Sequence, residues 1–243
     1  MTTATMILLA VAALVIGFSK TAIGGLASIA IAIFASVMPA RESTGAILLL
    51  LITGDLVAAW RYRRHADWSI LRRIIPGILP GLALGALFLA WVDDTTLRRG
   101  IGVMLLVMAA LQIALTWRSP ERALGTSYAA GLGTGVAAGF TTMTANAAGA
   151  IMTLYLVAQG VGKRRFLGTG AVLWLGVNLT KVPFSIALGL LHWDTVRLTL
   201  LLAPAVLLGT WLGLHTARRL SQVHFDRAVL AATVVSALAL VLH

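Results

Sequence analysis

The chain has 243 residues, 59% hydrophobic and 11% charged, with a mean hydropathy of +0.95. A soluble domain carries about 25% charged residues, so most of this polypeptide must face lipid or other buried helices. The net charge of +11 sits in short loops between apolar segments, the pattern of membrane topology control rather than of nucleic-acid binding, and the lack of cysteine excludes thiol catalysis, cysteine metal sites and disulfides.

The amino-terminal run Met1-Thr2-Thr3-Ala4-Thr5-Met6 has no basic region, so the first apolar stretch reads as retained protein and not as a cleaved signal. Ten apolar segments follow, at roughly 5–18, 22–38, 43–62, 70–91, 98–117, 124–140, 144–160, 166–190, 194–216 and 225–242. Several approach the ~20 residues needed to cross the hydrocarbon. The first, second, sixth and seventh are shorter. They flank two polar interruptions, Gly17-Phe18-Ser19-Lys20-Thr21-Ala22-Ile23-Gly24-Gly25 and Gly139-Phe140-Thr141-Thr142-Met143-Thr144-Ala145-Asn146.

These interruptions lie at matching places. Arg41 falls on Arg164, Gly45 on Gly168, Asp55 on Asn178, Pro80 on Pro204 and Gly85 on Gly209, close to the shift that carries Gly17 to Gly139. The common order predicts an internal duplication, with repeats of about 5–117 and 124–242 inside one membrane domain spanning 1–243.

Loop charge orients the halves. Arg61-Tyr62-Arg63-Arg64-His65 with Arg72 and Arg73, and also Lys163-Arg164-Arg165, belong on the cytoplasmic side. Val92-Asp93-Asp94 and the Lys- and Arg-free run 189–194 belong outside, and the region of Arg218, Arg219 and Arg227 inside. One arrangement satisfies all of these. Each short pair is a broken-helix hairpin returning to its own side, followed by three crossings, with both termini outside and the halves inverted. Trp60, Tyr62, Trp68 and Trp117 then mark the cytoplasmic boundary and Trp91 and Trp193 the outer one. Trp174 is mid-segment and packs inside.

A helix broken within a membrane leaves backbone groups that are tolerated only where they are buried or line a cavity. A half-helix starting there aims its N–H groups and positive dipole end inward, which suits an anion. Ser19, Lys20, Thr21, Thr141, Thr142, Thr144 and Asn146 add donors, and Gly24 and Gly25 allow close backbone approach, so these nine are the expected substrate contacts. The Gly-rich run 131–135 follows no strand and reads as a helix-packing surface.

Ionisable residues at membrane depth are costly and usually functional. Lys20, Asp55 and Lys181 are the three. Asp55 is expected to pair with Lys20 or Lys181 and to change protonation or partner during transport. Asn178 shares a helix face with Lys181. Arg41 and Arg164 stand at equivalent mouths of opposite faces, where they either attract anions or cap helices. Asp55, Asn178, Lys181, Arg41 and Arg164 are thus the expected coupling or gating set.

Enzyme motifs are absent: there is no His-Glu-x-x-His, no Gly-x-Ser-x-Gly and no phosphate loop. A Ser19–Lys20 dyad fails too, because adjacent helical positions point about 100° apart. The chain is not expected to be an enzyme, and neither cofactor nor metal is expected.

The residues Gly17-Phe18-Ser19-Lys20-Thr21 with Gly24-Gly25, Pro39-Ala40-Arg41-Glu42-Ser43-Thr44-Gly45, Gly54-Asp55 and the run 61–68 resemble the sulfite exporter TauE/SafE family of membrane permeases. Asn178-Leu179-Thr180-Lys181 and Gly189 are similar to it as well. The second break departs: Ala145-Asn146-Ala147-Ala148-Gly149 stands where many members carry a Gly-Gly-Pro-like break. The resemblance implies a bacterial inner-membrane carrier of small sulfur-containing or carboxylate anions such as sulfite or sulfonates.

The expectation is therefore an all-α inverted-repeat secondary transporter. It would move a small anion by alternating access, with a proton or sodium as coupling ion and a homodimer as one open assembly. A non-transporting membrane subunit or scaffold, and an intramembrane enzyme, are the rivals.

Overall fold

In a computed structural model, residues 2–21, 26–117 and 127–216 are described. The chain is all-helical there. In order come α1 (Thr3–Thr21), α2 (Ala27–Val37), α3 (Ala40–Tyr62), a 3-10 turn (Arg63–His65), α4 (Trp68–Trp91), α5 (Asp94–Trp117), α6 (Tyr128–Ala145), α7 (Gly149–Ala158), α8 (Lys163–Ala187) and α9 (Trp193–Thr216). An apolar chain in lipid has to satisfy every backbone group internally, and helices do so segment by segment. Among the described residues five stretches are long and apolar enough to cross a membrane: Thr3–Thr21, Ala40–His65, Trp68–Trp91, Arg164–Ala187 and Trp193–His215. This is an integral membrane protein of the all-α class.

The helices follow the expected segments, with one difference of proportion. Each hairpin pairs a longer arm with a short one, 19 residues against 11 in α1–α2 and 18 against 10 in α6–α7. At 1.5 Å per residue α1 reaches about 28 Å, nearly the hydrocarbon thickness. Periodicity could not reveal this, because Ser19, Lys20 and Thr21 look like a break yet continue the helix. The tenth expected segment and Arg218, Arg219 and Arg227 lie outside the described residues.

The most extensive packing is between α4 and α6 and between α1 and α9, with α3 against α8 at the centre. Gly77 and Gly81 of α4 face Gly135 and Gly139 of α6, while Gly85 packs against Met143 of α6 and Gly131 against Arg73 of α4, each glycine set spaced by four. A Cβ on Gly135 would stand 2.3 Å from the Ile74 carbonyl oxygen, and one on Gly81 2.3 Å from that of Val136. Only glycine permits so close an approach of two backbones. Gly133 meets nothing within 4 Å, so the run 131–135 is a packing surface one residue wide. Residue numbers rise together along the contact, so α4 and α6 run in the same direction. α7 then doubles back: the Tyr155 hydroxyl, near its end, lies 2.9 Å from where a Cβ on Gly131 would be.

Helices α3 and α8 run opposite ways. Gly168 lies under the backbone of Tyr62 and His65, whereas Gly45 lies under the Leu190 carbonyl. The loops assigned to one side of the membrane from charge alone accordingly meet at one end. There the Asp67 amide donates to Thr169 Oγ1 (2.9 Å), and Arg165 faces the Asp67 carboxylate at 3.7 Å. At the opposite end the segments around 92–94 and 188–194 meet around Arg41. Asp67 caps α4, accepting from Ser69 Oγ (2.6 Å) and the Ser69 amide (3.0 Å). The Ser69 hydroxyl holds this carboxyl below the usual carboxylate range.

Exposed large apolar side chains, including Trp60, Trp68, Trp91 and Trp193, ring the outside. Trp174 packs, partly buried, against the core as expected. That core runs continuously from α1, α2 and α3 to α7 and α8.

Candidate functional site

The two breaks fall later in the sequence than the polar residues suggested. Ser19, Lys20 and Thr21 form the last turn of α1, and Thr141, Thr142 and Thr144 the last turns of α6. They stand at helix C-termini, where unpaired carbonyls gather and the dipole is negative. The N-terminal ends that would favour an anion belong to α2 and α7, across each break. Of the nine expected contacts, Asn146 alone among the described residues lies in a break. Gly24 and Gly25 lie outside the described residues.

Asn146 ends α6 at φ 54°, ψ 21° and is the one non-glycine residue at positive φ among those described. Asparagine tolerates this left-handed region better than most residues. Its amide N–H returns to Thr142 O (3.1 Å). Its side chain reaches both ways, Nδ2 donating to Thr44 O of α3 at 3.2 Å and Oδ1 accepting from Lys181 Nζ of α8 at 2.5 Å.

Most of the hydroxyls are already engaged. Ser19 donates to Ile16 O (2.7 Å), Thr21 to Thr210 O (2.9 Å), Thr141 to Ala137 O (2.8 Å) and Thr144 to Phe140 O (2.9 Å). A hydroxyl has one proton to give, so these four offer lone pairs to a ligand in this state and no donor.

Charge makes two centres. In the first, Lys20 Nζ lies 2.7 Å from Asp55 Oδ1. Asn178 Nδ2 donates to Asp55 Oδ2, also at 2.7 Å. Asp55 and Asn178 are the two residues that the expected repeat aligns, and this hydrogen bond joins them. Asp55 thus pairs with Lys20 and not with Lys181. In the second centre, Lys181 Nζ donates to Thr142 O (2.6 Å), to Asn146 Oδ1 and, at 3.4 Å, to Thr142 Oγ1. Lys181, Asp55 and Asn178 are each 1% exposed. Every acceptor around Lys181 is a neutral oxygen. Two lysines face one aspartate here, so with both amines protonated the pair of centres carries one positive charge more than negative, beside the negative dipole end of α6.

The two arginines expected at the mouths differ. Arg41 donates to Leu89 O (2.7 Å), Val92 O (3.3 Å) and Leu188 O (3.2 Å), while its amide donates to Asp94 Oδ1 (3.0 Å). It caps the ends of α4 and α8 and ties them to the starts of α3 and α5. Arg164 is exposed at the other end.

Sequence reasoning missed Tyr155 Oη and Gln159 Nε2, which are buried without a hydrogen-bond partner. Their spacing of four on an apolar helix was the available signal. It also missed Thr44, whose carbonyl holds Asn146; a backbone acceptor leaves no trace in composition.

A search of curated proteins and a search of solved structures each returned no match. The family model described as Sulfite exporter TauE/SafE matches residues 9–240, nearly the whole chain and both centres. The chain belongs to the sulfite exporter TauE/SafE family.

Proposed function

We propose that the protein is a secondary transporter of a small sulfur-containing or organic anion, such as sulfite or a sulfonate, working at the bacterial inner membrane without catalysing a chemical change. The observation that carries this reading is the buried Lys181 amine, held by neutral oxygens with no carboxylate among the described residues hydrogen-bonded to it. An ammonium held by neutral oxygens in a dehydrated interior carries a penalty of several kcal/mol, and an anion beside it would relieve that penalty. Its third proton has only the 3.4 Å contact to Thr142 Oγ1, so an oxyanion gains a donor there. Lys181, Thr142 and Asn146 form the centre of the proposed site. Ser19, Lys20, Thr21, Gly24, Gly25, Thr141 and Thr144 belong to the surrounding hairpin ends.

The two halves act as inverted repeats exchanging access to the two sides. This is supported by the way α1 packs on α9 as α6 packs on α4, and by the contact between matching residues Asp55 and Asn178. Arg41 and Arg164 serve as gates at opposite mouths, and both termini lie outside. With a membrane potential negative inside, export gains about 2.3 kcal/mol per net negative charge moved per 100 mV.

Counterflow of labelled sulfite, sulfonates and short carboxylates into proteoliposomes tests this. Saturable exchange that excess unlabelled anion suppresses is expected. Exchange of none of them would overturn the reading.

A further inference from the structure

Resting on the permease reading, we infer that Asp55 is a proton-binding site of this carrier, and that Asn178 is the positioning residue that lets the carboxyl be held with or without its proton. The bonding around the pair is incomplete in a particular way. Asp55 Oδ1 meets Lys20 Nζ as an ion pair but outside hydrogen-bond geometry, and Asn178 Oδ1 is buried with no donor. Asn178 Nδ2 gives its proton to Asp55 Oδ2 at 2.7 Å. Oδ2 serves here as an acceptor, which either a carboxylate or the carbonyl oxygen of a neutral carboxyl can do.

A protonated carboxyl needs something more, an acceptor for its O–H. A half-turn of the Asn178 amide supplies one in place, because its oxygen and nitrogen ends are nearly equal in shape. The orphaned Oδ1 would then gain its donor. The same separation thus serves both protonation states. Aspartate at 178 would give two carboxylates in contact, and leucine would give no partner to either state.

A metal cation fits less well. Such ions gather a shell of several oxygens, whereas Asn178 Oδ1 is the one orphaned oxygen here besides the carboxylate's own.

Lys20 of α1 and Lys181 of α8 are the charged groups that act on this carboxyl. Helix α2 has no ionisable residue, and α9 brings the aliphatic Val206 beside Gly54. The ionisable residues of α5 (Asp94, Arg98, Arg99) and α9 (Asp194, Arg197, His215) stand at the helix ends. Protonation of Asp55 therefore leaves both ammonium groups without a carboxylate, raising the interior charge by one and favouring an anion at Lys181. The proton and the anion bind together.

The experiment is counterflow of a simple sulfonate, ionised at every pH used, so that pH acts on the protein alone. Wild-type exchange should rise at least about five-fold from mildly alkaline to mildly acidic buffer, the lower end of ordinary coupling between sites. A pH dye inside the vesicles should report protons moving with net anion flux. Asp55→Asn should exchange with a flat pH profile and move no protons. If it fails to fold because Lys20 loses its partner, Lys20→Met/Asp55→Asn should restore folding, and its exchange, whatever its absolute rate, should have a flat pH profile and move no protons. Asn178→Asp should shift the profile, and Asn178→Leu should weaken exchange at every pH. A flat wild-type profile without proton movement would overturn the inference while leaving the permease reading intact, as would an unchanged profile in the Asp55 variants. Absence of wild-type exchange at every pH would instead remove the permease reading.

Discussion

Two lysines reach the interior of this protein, and they are treated differently. Lys20, at the end of α1, faces the Asp55 carboxylate at 2.7 Å. Lys181, on α8, reaches the matching helix end, α6, and finds a carbonyl, an amide oxygen and a hydroxyl. The first half supplies its own counter-charge; the second holds asparagine where the first has aspartate. One lysine thus has a carboxylate beside it and the other, among the described residues, has neutral oxygens alone, and it is at the second that we propose an anion binds.

The sharpest way to break this comparison is to remove each lysine in turn. Lys20→Met should destabilise the protein by about 3–5 kcal/mol, since it strands a buried carboxylate. Adding Asp55→Asn should restore most of the loss in a detergent unfolding assay. Lys181→Met strands no charge and should cost only about 1–3 kcal/mol from unpaired acceptors. Equal losses for the two would erase the distinction.

The scaffold that brings the centres together can be tested within one glycine run. Gly135→Leu forces a side chain against the α4 backbone and should cost about 3 kcal/mol, the upper end for overpacking. Gly133→Leu, facing open space, should leave thermal stability nearly unchanged.

The two mouths give a smaller contrast. Arg41→Ala removes bonds to three carbonyls and should lower stability by about 2 kcal/mol. Arg164→Ala, at an exposed position, should stay within about 0.5 kcal/mol. Between these two falls Asp67→Ala, about 1 kcal/mol for a lost helix cap. Because the folded carboxyl titrates below its unfolded value, this contribution is present above the unfolded pKa of about 3.9. It disappears as pH falls through the lower folded value, so mutant and wild type should converge in acid.

Much of this architecture was legible in the sequence. Hydropathy gave the described helices, and loop charge anticipated which loops would meet. Both worked because lipid forces backbone pairing into local segments. The centres were less legible. Asp55 was expected to pair with one of two lysines, but a choice between α1 and α8 depends on tertiary packing. The donors at 19, 21, 141 and 144 were read as free for ligand, whereas in a dry interior a hydroxyl returns its proton to the helix carbonyl three or four residues back, or, for Thr21, to a carbonyl of α9. Asn146 looked like one more polar residue, and its left-handed backbone, which aims one amide at both α3 and α8, has no sequence signal beyond its residue type.

The most direct measurement of the central claim is ligand stabilisation. Purified wild-type protein in detergent should melt at progressively higher temperature as sulfite, or a sulfonate from the exchange panel, rises past its dissociation constant, as mass action requires. Lys181→Met should show no such rise. A Lys181→Met protein stabilised by the anion as strongly as wild type would contradict the account.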